Sequence, residues 1–156
     1  MHRKFRPVDD SMPAAPQPLL AITATLLPLR QRRLGRLERA QQRLVRTLKQ
    51  HQQRIEQQQV RLTQAQDAHR ASYEALHNLA QTSVKDLRSC LHQERQDAQA
   101  ILMQQQRLNQ LLDEKTQLQR QLDAAAHQLM LQQKALEKLH EMKKVAEGEE
   151  NESARA

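Results

Sequence analysis

The position of its prolines constrains this chain more than any other feature of its sequence. All five prolines lie before residue 29 of 156, and glycine occurs only twice, so well over a hundred consecutive residues contain no proline. Proline lacks a backbone donor and clashes inside a helix, so its absence over such a length permits uninterrupted helix. The chain after residue 28 can therefore form helices longer than those of an ordinary globular domain.

Leucine and other apolar residues recur every seven positions in two separate registers. The first register runs from Leu20 to Leu79, and the second from Leu87 to Leu139. This spacing is typical of the seam between helices in a coiled coil. Because only 38% of the residues are hydrophobic and 1% are aromatic, a thin seam is favoured over a compact core.

Two registers of similar length predict a fold-back. We expect an all-α fold, a long two-helix antiparallel coiled-coil hairpin. Pairing residues whose numbers sum to 166 matches leucine with leucine along both seams, and it also places His69 against Asp97 and Ser72 against Glu94. This register is predicted because polar layers then coincide instead of burying single charges against leucine.

The turn of the hairpin is predicted beside Thr82 and Ser83. Ser83 is a suitable N-cap, and Asp86 supplies the acidic third residue of the following helix. Gly148, which follows Lys143 and Lys144, is a suitable C-terminal stop. The predicted segments are a flexible arm at 1–18, helix 1 at about 19–80, a tip at 81–84, helix 2 at about 85–147 and a disordered tail at 148–156.

One alternative fits the same periodicity. A single unbroken helix of roughly 120 residues, paired with a second copy as a parallel dimer, would place the same residues on its seam. Such a dimer would be a structural coiled-coil scaffold. The hairpin is the favoured interpretation, and a monomer is expected for the free protein.

Residues for catalysis, cofactors or metals do not cluster in the sequence. Two isolated glycines cannot build a phosphate-binding loop, and the seven histidines are scattered without ligand spacing. Cys90 is the single cysteine, which excludes an intrachain disulfide and favours a reducing compartment. We therefore expect a protein that is not an enzyme and has no cofactor. The apolar run Leu19–Leu29 is too short to span a bilayer, which favours a cytoplasmic protein.

The net charge of +7 indicates an acidic partner. Arginines alternate at spacings of four and three, which places them on one outer helix face and defines a basic stripe: Arg32, Arg36, Arg39, Arg43 and Arg46. The guanidinium group suits carboxylate or phosphate, although a solvated charged face would look the same. A basic nucleic-acid adaptor is a further alternative. Basic-zipper proteins, however, place their basic residues before the zipper, and here leucines run through the same turns, so no specific nucleic acid is expected.

A second candidate surface lies near the predicted tip. It consists of Tyr73, Leu76, His77 and Ala80, with Tyr73 the one aromatic residue after residue 5. Packing within the last turns is the favoured explanation of these residues. The functional alternative is a small apolar docking surface, because seam residues become partly exposed at the end of a hairpin.

The segment from Leu27 to Ala40, LPLRQRRLGRLERA, resembles the start of the YscO/FliJ-type (SctO) stalk proteins of type III secretion systems. Those proteins begin with a similar basic Leu/Arg segment and continue through two long Gln/Glu-rich helices. The resemblance covers about residues 19–147. The proline-containing arm of about 18 residues departs from the family pattern.

The resemblance implies a central-stalk component of a type III protein secretion apparatus, at the cytoplasmic face of the bacterial inner membrane. It implies that the basic stripe faces acidic loops of a hexameric export ATPase. The tip would contact the export gate protein, and the stalk would also bind secretion chaperones. Contact with the inner membrane would be peripheral, through these partners.

Overall fold

The computed structural model describes residues 17–78 and 83–155, and these residues form two long helices. Helix α1 is Gln17–His77 and helix α2 is Val84–Arg155. No strand occurs among the described residues, so the predicted all-α two-helix hairpin is confirmed. The predicted arm lies outside the described residues apart from its last two positions, which begin α1. Residues 81 and 82 of the predicted tip also lie outside them.

The chain divides into two compact units. The first unit is Met1–Ala40 with Ala125–Ala156, and the second is Gln41–Ala124. Each unit contains one part of α1 packed against one part of α2. In both units, the seam residues predicted from the heptads are buried or half-buried, except Leu87, which is 42% exposed, and Leu79, which is outside the described residues.

The second unit has a small apolar core at the centre of its seam. Ile55 and Leu62 of α1 pack with Leu108 and Leu111 of α2, and Ile101 lies against this group. Burying side chains of this size removes apolar surface from water, which is the main stabilising contribution to helix pairing. The seven-residue spacing therefore marks the helix faces that meet.

Polar side chains on the seam show that the helices of the second unit are antiparallel, and these side chains fix the register. His51 bonds to the carbonyl of Leu111, Gln58 to Gln104, and His69 to Glu94. The residue numbers of each pair sum to 162 or 163. The number on α2 falls as the number on α1 rises, which is the pattern of antiparallel helices.

The predicted sum of 166 is therefore wrong by about one helical turn. In the structure His69 contacts Glu94 instead of Asp97, and the Ser72 hydroxyl donates to the His69 carbonyl instead of facing Glu94. A sum of 166 would have placed Gln58 opposite Leu108, with no partner for a buried amide. Leucine layers tolerate a shift of one turn, whereas a buried amide needs a partner.

The first unit has the same antiparallel arrangement. Arg30 Nη1 donates to Gln132 Oε1 at 3.2 Å, so these two positions lie at about the same level. Thr23 and Ala146 are almost fully buried. The Thr23 hydroxyl is satisfied locally, because it donates to the Leu20 carbonyl at 3.0 Å.

The ends of the helices depart from the predicted boundaries. Helix α1 begins at Gln17 and includes Pro28, and it ends at His77, three residues before position 80. Both Pro28 and Ala24, whose carbonyl loses its bond to the missing Pro28 amide, are exposed. Water can therefore replace that bond, and the helix tolerates the proline.

The prediction that residues 148–156 form a disordered tail is wrong for 148–155, because α2 continues to Arg155. Gly148 does not end the helix and has no positive φ angle. A single glycine costs about 1 kcal/mol in a helix interior, which flanking glutamates with good helix propensity can offset. The alternative of one unbroken helix is also wrong, since α1 and α2 are separate and antiparallel.

Candidate partner-binding surfaces

The first unit carries the first three arginines of the basic stripe. Arg32, Arg36 and Arg39 are all exposed on α1. Gly35 lies between them, and a β carbon added there would meet no atom within 4 Å. The missing side chain leaves a shallow surface groove, bordered by these three arginines and by Pro28, Leu29 and Gln31. A carboxylate entering this groove could reach guanidinium groups from several directions.

The remaining two stripe residues, Arg43 and Arg46, belong to the second unit and are also exposed. Val45 is 49% exposed but points to a different side of α1, because residues one or two positions apart do not share a helix face. The face that carries Arg43 and Arg46 is therefore basic.

None of the five stripe arginines forms a salt bridge with another described residue. The salt bridges among these residues involve His51, His69 and Lys143. Glu38, the acidic residue within the basic segment, is exposed and does not neutralise its neighbours by direct contact. The stripe is therefore open to an anionic partner.

The predicted tip residues lie at the end of α1 in the second unit. Tyr73 is 47% exposed, and its ring centroid lies 4.4 Å from that of His77, which is also exposed. Leu76 is half-buried on the seam. Ala80 lies outside the described residues. Tyr73 and His77 thus form one exposed aromatic pair, and Leu76 contributes mainly to packing.

The start of α2 adds one exposed apolar residue that the sequence pattern did not single out. Val84 is 68% exposed, and the predicted seam residue Leu87 beside it is 42% exposed. Ser83 caps this helix, because its backbone carbonyl accepts from the Leu87 amide and its hydroxyl bonds to the Asp86 carboxylate at 2.9 Å. The predicted cap is confirmed, and Val84 was missed because an isolated valine carries no periodic signal.

A larger surface that sequence reasoning missed lies on the first unit. Apolar side chains there are about half exposed on both helices: Ile22, Leu29, Leu131, Met142 and Val145. Ile22 and Leu29 are seven residues apart, as are positions 131, 138 and 145. A second heptad row outside the seam was the signal that could have revealed this surface.

The described residues include no group of three or more His, Cys, Asp or Glu side chains arranged to hold a metal ion. Cys90 is half-buried near the start of α2. No helix in the described parts of the chain is long and apolar enough to cross a membrane.

Comparison with known proteins does not add a relative. No protein-family profile matches the chain, and no curated protein or solved structure matches it closely enough to indicate a relationship.

Proposed function

We propose that this chain is the central-stalk component of a type III protein secretion apparatus. In this role it couples a hexameric export ATPase to the export gate protein and also binds secretion chaperones. It acts by protein contacts and is not an enzyme. The proposal combines the family resemblance of residues 19–147 with the surfaces of the hairpin.

The basic stripe is the observation that carries this proposal. Arg32, Arg36 and Arg39 in the first unit are exposed and make no salt bridge among the described residues, and the same holds for Arg43 and Arg46 in the second. Guanidinium groups bind carboxylates in a two-pronged geometry. Acidic loops lining the ring of the ATPase are a suitable partner for such a row.

The exposed pair Tyr73 and His77 supports the second contact. Aromatic side chains are enriched at protein interfaces because they bury a large area with few rotatable bonds. Their partly exposed rings can enter a pocket of the export gate protein. The gate lies at the membrane, so the stalk itself needs only peripheral contact with it.

The mechanism of coupling follows from asymmetry. A hairpin of two different helices cannot contact six equivalent ATPase subunits in the same way. Each subunit therefore experiences a different binding energy, which biases its conformation and its affinity for nucleotide. Successive hydrolysis events would change which subunits the stalk contacts and transmit that change to the gate.

The test is stimulation of ATP hydrolysis by the export ATPase of the same organism. The variant Arg36→Glu/Arg39→Glu/Arg43→Glu reverses three charges of the stripe, and we expect it to lose stimulation while keeping the helical circular dichroism of the wild type. Repulsion between like charges at an interface costs several kcal/mol. The measurement is phosphate release at increasing ratios of stalk to ATPase.

A matched control reverses three exposed cations near the start of α2, in Lys85→Glu/Arg88→Glu/Arg95→Glu. This variant has the same net charge as the stripe variant and should stimulate normally. Equal stimulation by the stripe variant and the wild type would refute the stalk assignment.

A coiled-coil scaffold is the second candidate function, favoured by the exposed apolar side chains of the hairpin. It predicts stable assembly with a partner and no effect on ATPase activity. A nucleic-acid adaptor would instead bind DNA with a steep dependence on salt concentration. Titration of labelled DNA at several salt concentrations separates that alternative from the stalk.

A further inference from the structure

The first unit has one apolar side, built jointly by its two helices. We define its apolar face as Leu19, Ile22, Leu26 and Leu29 of α1 with Leu131, Ala135, Met142 and Val145 of α2. Leu19 lies beside Met142 and Val145 in one groove, and Ile22 lies beside Leu26 in another. The remaining members follow these at heptad spacing, so they share the same side of the hairpin.

This face is too exposed to serve the fold of the unit alone. Ile22 and Leu29 are 53% and 54% exposed, and Val145 is 57% exposed, whereas seam residues at the same levels are half-buried or buried. A contiguous apolar surface on two adjacent helices marks a site of association. Lys138 and Glu141 also line the groove beside Leu19, and the long apolar stem of Lys138 can lie along such a surface.

Charges of opposite sign flank the apolar face at its two ends. On α1, Arg33 and Arg36 follow Leu26 and Leu29 by one heptad. On α2, Glu149 and Glu152 follow Met142 and Val145 by one heptad. All four charged side chains are exposed, and because the helices are antiparallel, the arginines and the glutamates lie at opposite ends.

The spacing of these charges is nearly symmetric about the centre of the apolar face. At 1.5 Å per residue, the arginine pair lies roughly 16 Å from that centre and the glutamate pair roughly 18 Å from it in the other direction. A two-fold axis through the centre would therefore place the arginines of one chain beside the glutamates of another. The apolar face would at the same time meet its own copy.

We propose that two copies of this chain associate through the apolar face of the first unit as an antiparallel four-helix interface. A two-fold interface uses the same surface on both subunits. A surface with a positive end, an apolar centre and a negative end suits such an interface, because it is complementary to its own rotated copy. The apolar face spans about four helical turns, so the dimer is small by the standards of stable interfaces and depends on protein concentration.

This dimer does not rest on the proposed function, and it departs from the sequence-based expectation of a free monomer. It has a consequence for the stalk, because it covers Arg36 of the basic stripe. Binding to an ATPase through that residue would require the dimer to dissociate. Self-association and the stalk contact would then compete for one surface.

The experiment measures mass by light scattering and sedimentation velocity, over micromolar to submillimolar concentrations. The wild-type chain should approach twice its 18.2 kDa mass as concentration rises. The variants Arg33→Glu/Arg36→Glu and Glu149→Lys/Glu152→Lys each place like charges together at both ends of the interface. Each should raise the dissociation constant by about tenfold or more, equivalent to 1.4 kcal/mol or more.

The decisive experiment mixes the two charge variants. A heterodimer of one chain of each kind restores opposite charges at both ends, so the mixture should dimerise where neither variant does alone. Circular dichroism of each variant checks that the helices are intact. A mixture that stays monomeric would overturn the proposed arrangement, as would a wild-type chain that is monomeric at every concentration.

A second pair of variants tests the apolar face itself. Ile22→Asp/Val145→Asp should abolish the dimer, because it buries two carboxylates per chain. The control Val45→Asp/Val60→Asp changes side chains of similar exposure in the second unit and should leave the dimer intact. The opposite result, with loss of the dimer in the control alone, would place the interface elsewhere and refute the proposal.

Discussion

The Nε2–H group of His51 donates a hydrogen bond of 2.7 Å to the backbone carbonyl oxygen of Leu111. His51 occupies a seam position and is only 4% exposed. Its ring also lies 3.5 Å from the carboxylate of Glu114. His51 can reach these two groups of α2 only when the helices pair in the observed register.

Substitutions of His51 test whether this side chain stabilises the seam or only determines the register of the two helices. His51→Leu should raise the free energy of unfolding by about 1 kcal/mol, because leucine adds apolar burial and the Leu111 carbonyl keeps its helical bond. His51→Ala should lower it by about 2 kcal/mol, because it leaves a cavity. Urea denaturation followed by circular dichroism measures both, and a loss of stability with leucine would contradict this account.

The pair Gln58 and Gln104 should show energetic coupling. The Gln58 amide donates to the Gln104 side-chain oxygen at 2.6 Å and to its backbone oxygen at 3.1 Å. In a double-mutant cycle of Gln58→Ala and Gln104→Ala, we expect a coupling of about 1 kcal/mol. The backbone contact survives in Gln104→Ala, so this variant should cost less than Gln58→Ala. Purely additive effects would mean that the amide pair does not fix the register.

These two contacts explain which parts of the fold the sequence predicted. Heptad spacing identified the buried face of each helix because leucine and isoleucine mark it directly. It did not identify the register, since leucine pairs with leucine equally well after a shift of one turn. The choice depends on whether Gln58 faces Leu108 or Gln104, which requires accounting for each buried polar atom.

Of the candidate surfaces, too, the sequence predicted one and missed another. Spacing alone placed Arg32 and Arg36 on an outer face, and both are exposed. The apolar face containing Ile22 and Val145 was missed, because a search for one seam assigns every other heptad row to solvent. The residue type of Gly148 predicts a helix end, yet its backbone does not adopt the left-handed conformation that would favour glycine there.

Removal of the cap on α2 should weaken the second unit. The Ser83 hydroxyl lies 3.4 Å from the Asp86 amide and donates to its carboxylate. Ser83→Ala should lower the free energy of unfolding by about 1 kcal/mol, whereas Ser83→Asp should retain the cap. Ser89→Ala, an exposed change inside the same helix, serves as the control and should not destabilise the protein. Equal stability of Ser83→Ala and Ser83→Asp would show that the cap contributes nothing.

Gly35 should be a site of easy stabilisation. It lies in the interior of α1, and a β carbon there meets nothing within 4 Å. Gly35→Ala should therefore raise the free energy of unfolding by about 1 kcal/mol through the higher helix propensity of alanine. Gly148→Ala should give a smaller gain, because helix ends fray before the rest unfolds. A destabilising Gly35→Ala would mean that the groove beside Arg36 is closed in solution.

The aromatic pair Tyr73 and His77 provides the last test, which depends on the proposed stalk function. Their ring centroids are 4.4 Å apart and Tyr73 is 47% exposed, so truncation of both removes a surface without opening a cavity. Tyr73→Ala/His77→Ala should weaken binding to the cytoplasmic part of the export gate protein by about tenfold or more, because interface aromatics often contribute over 1 kcal/mol each. Stimulation of the export ATPase should remain normal, since the basic stripe is unchanged. Val60→Ala, an exposed apolar change on the same helix, should affect neither activity. If the double variant binds the gate protein as tightly as the wild type, the contact lies elsewhere, and the exposed pair Val84 and Leu87 at the start of α2 becomes the next surface to mutate.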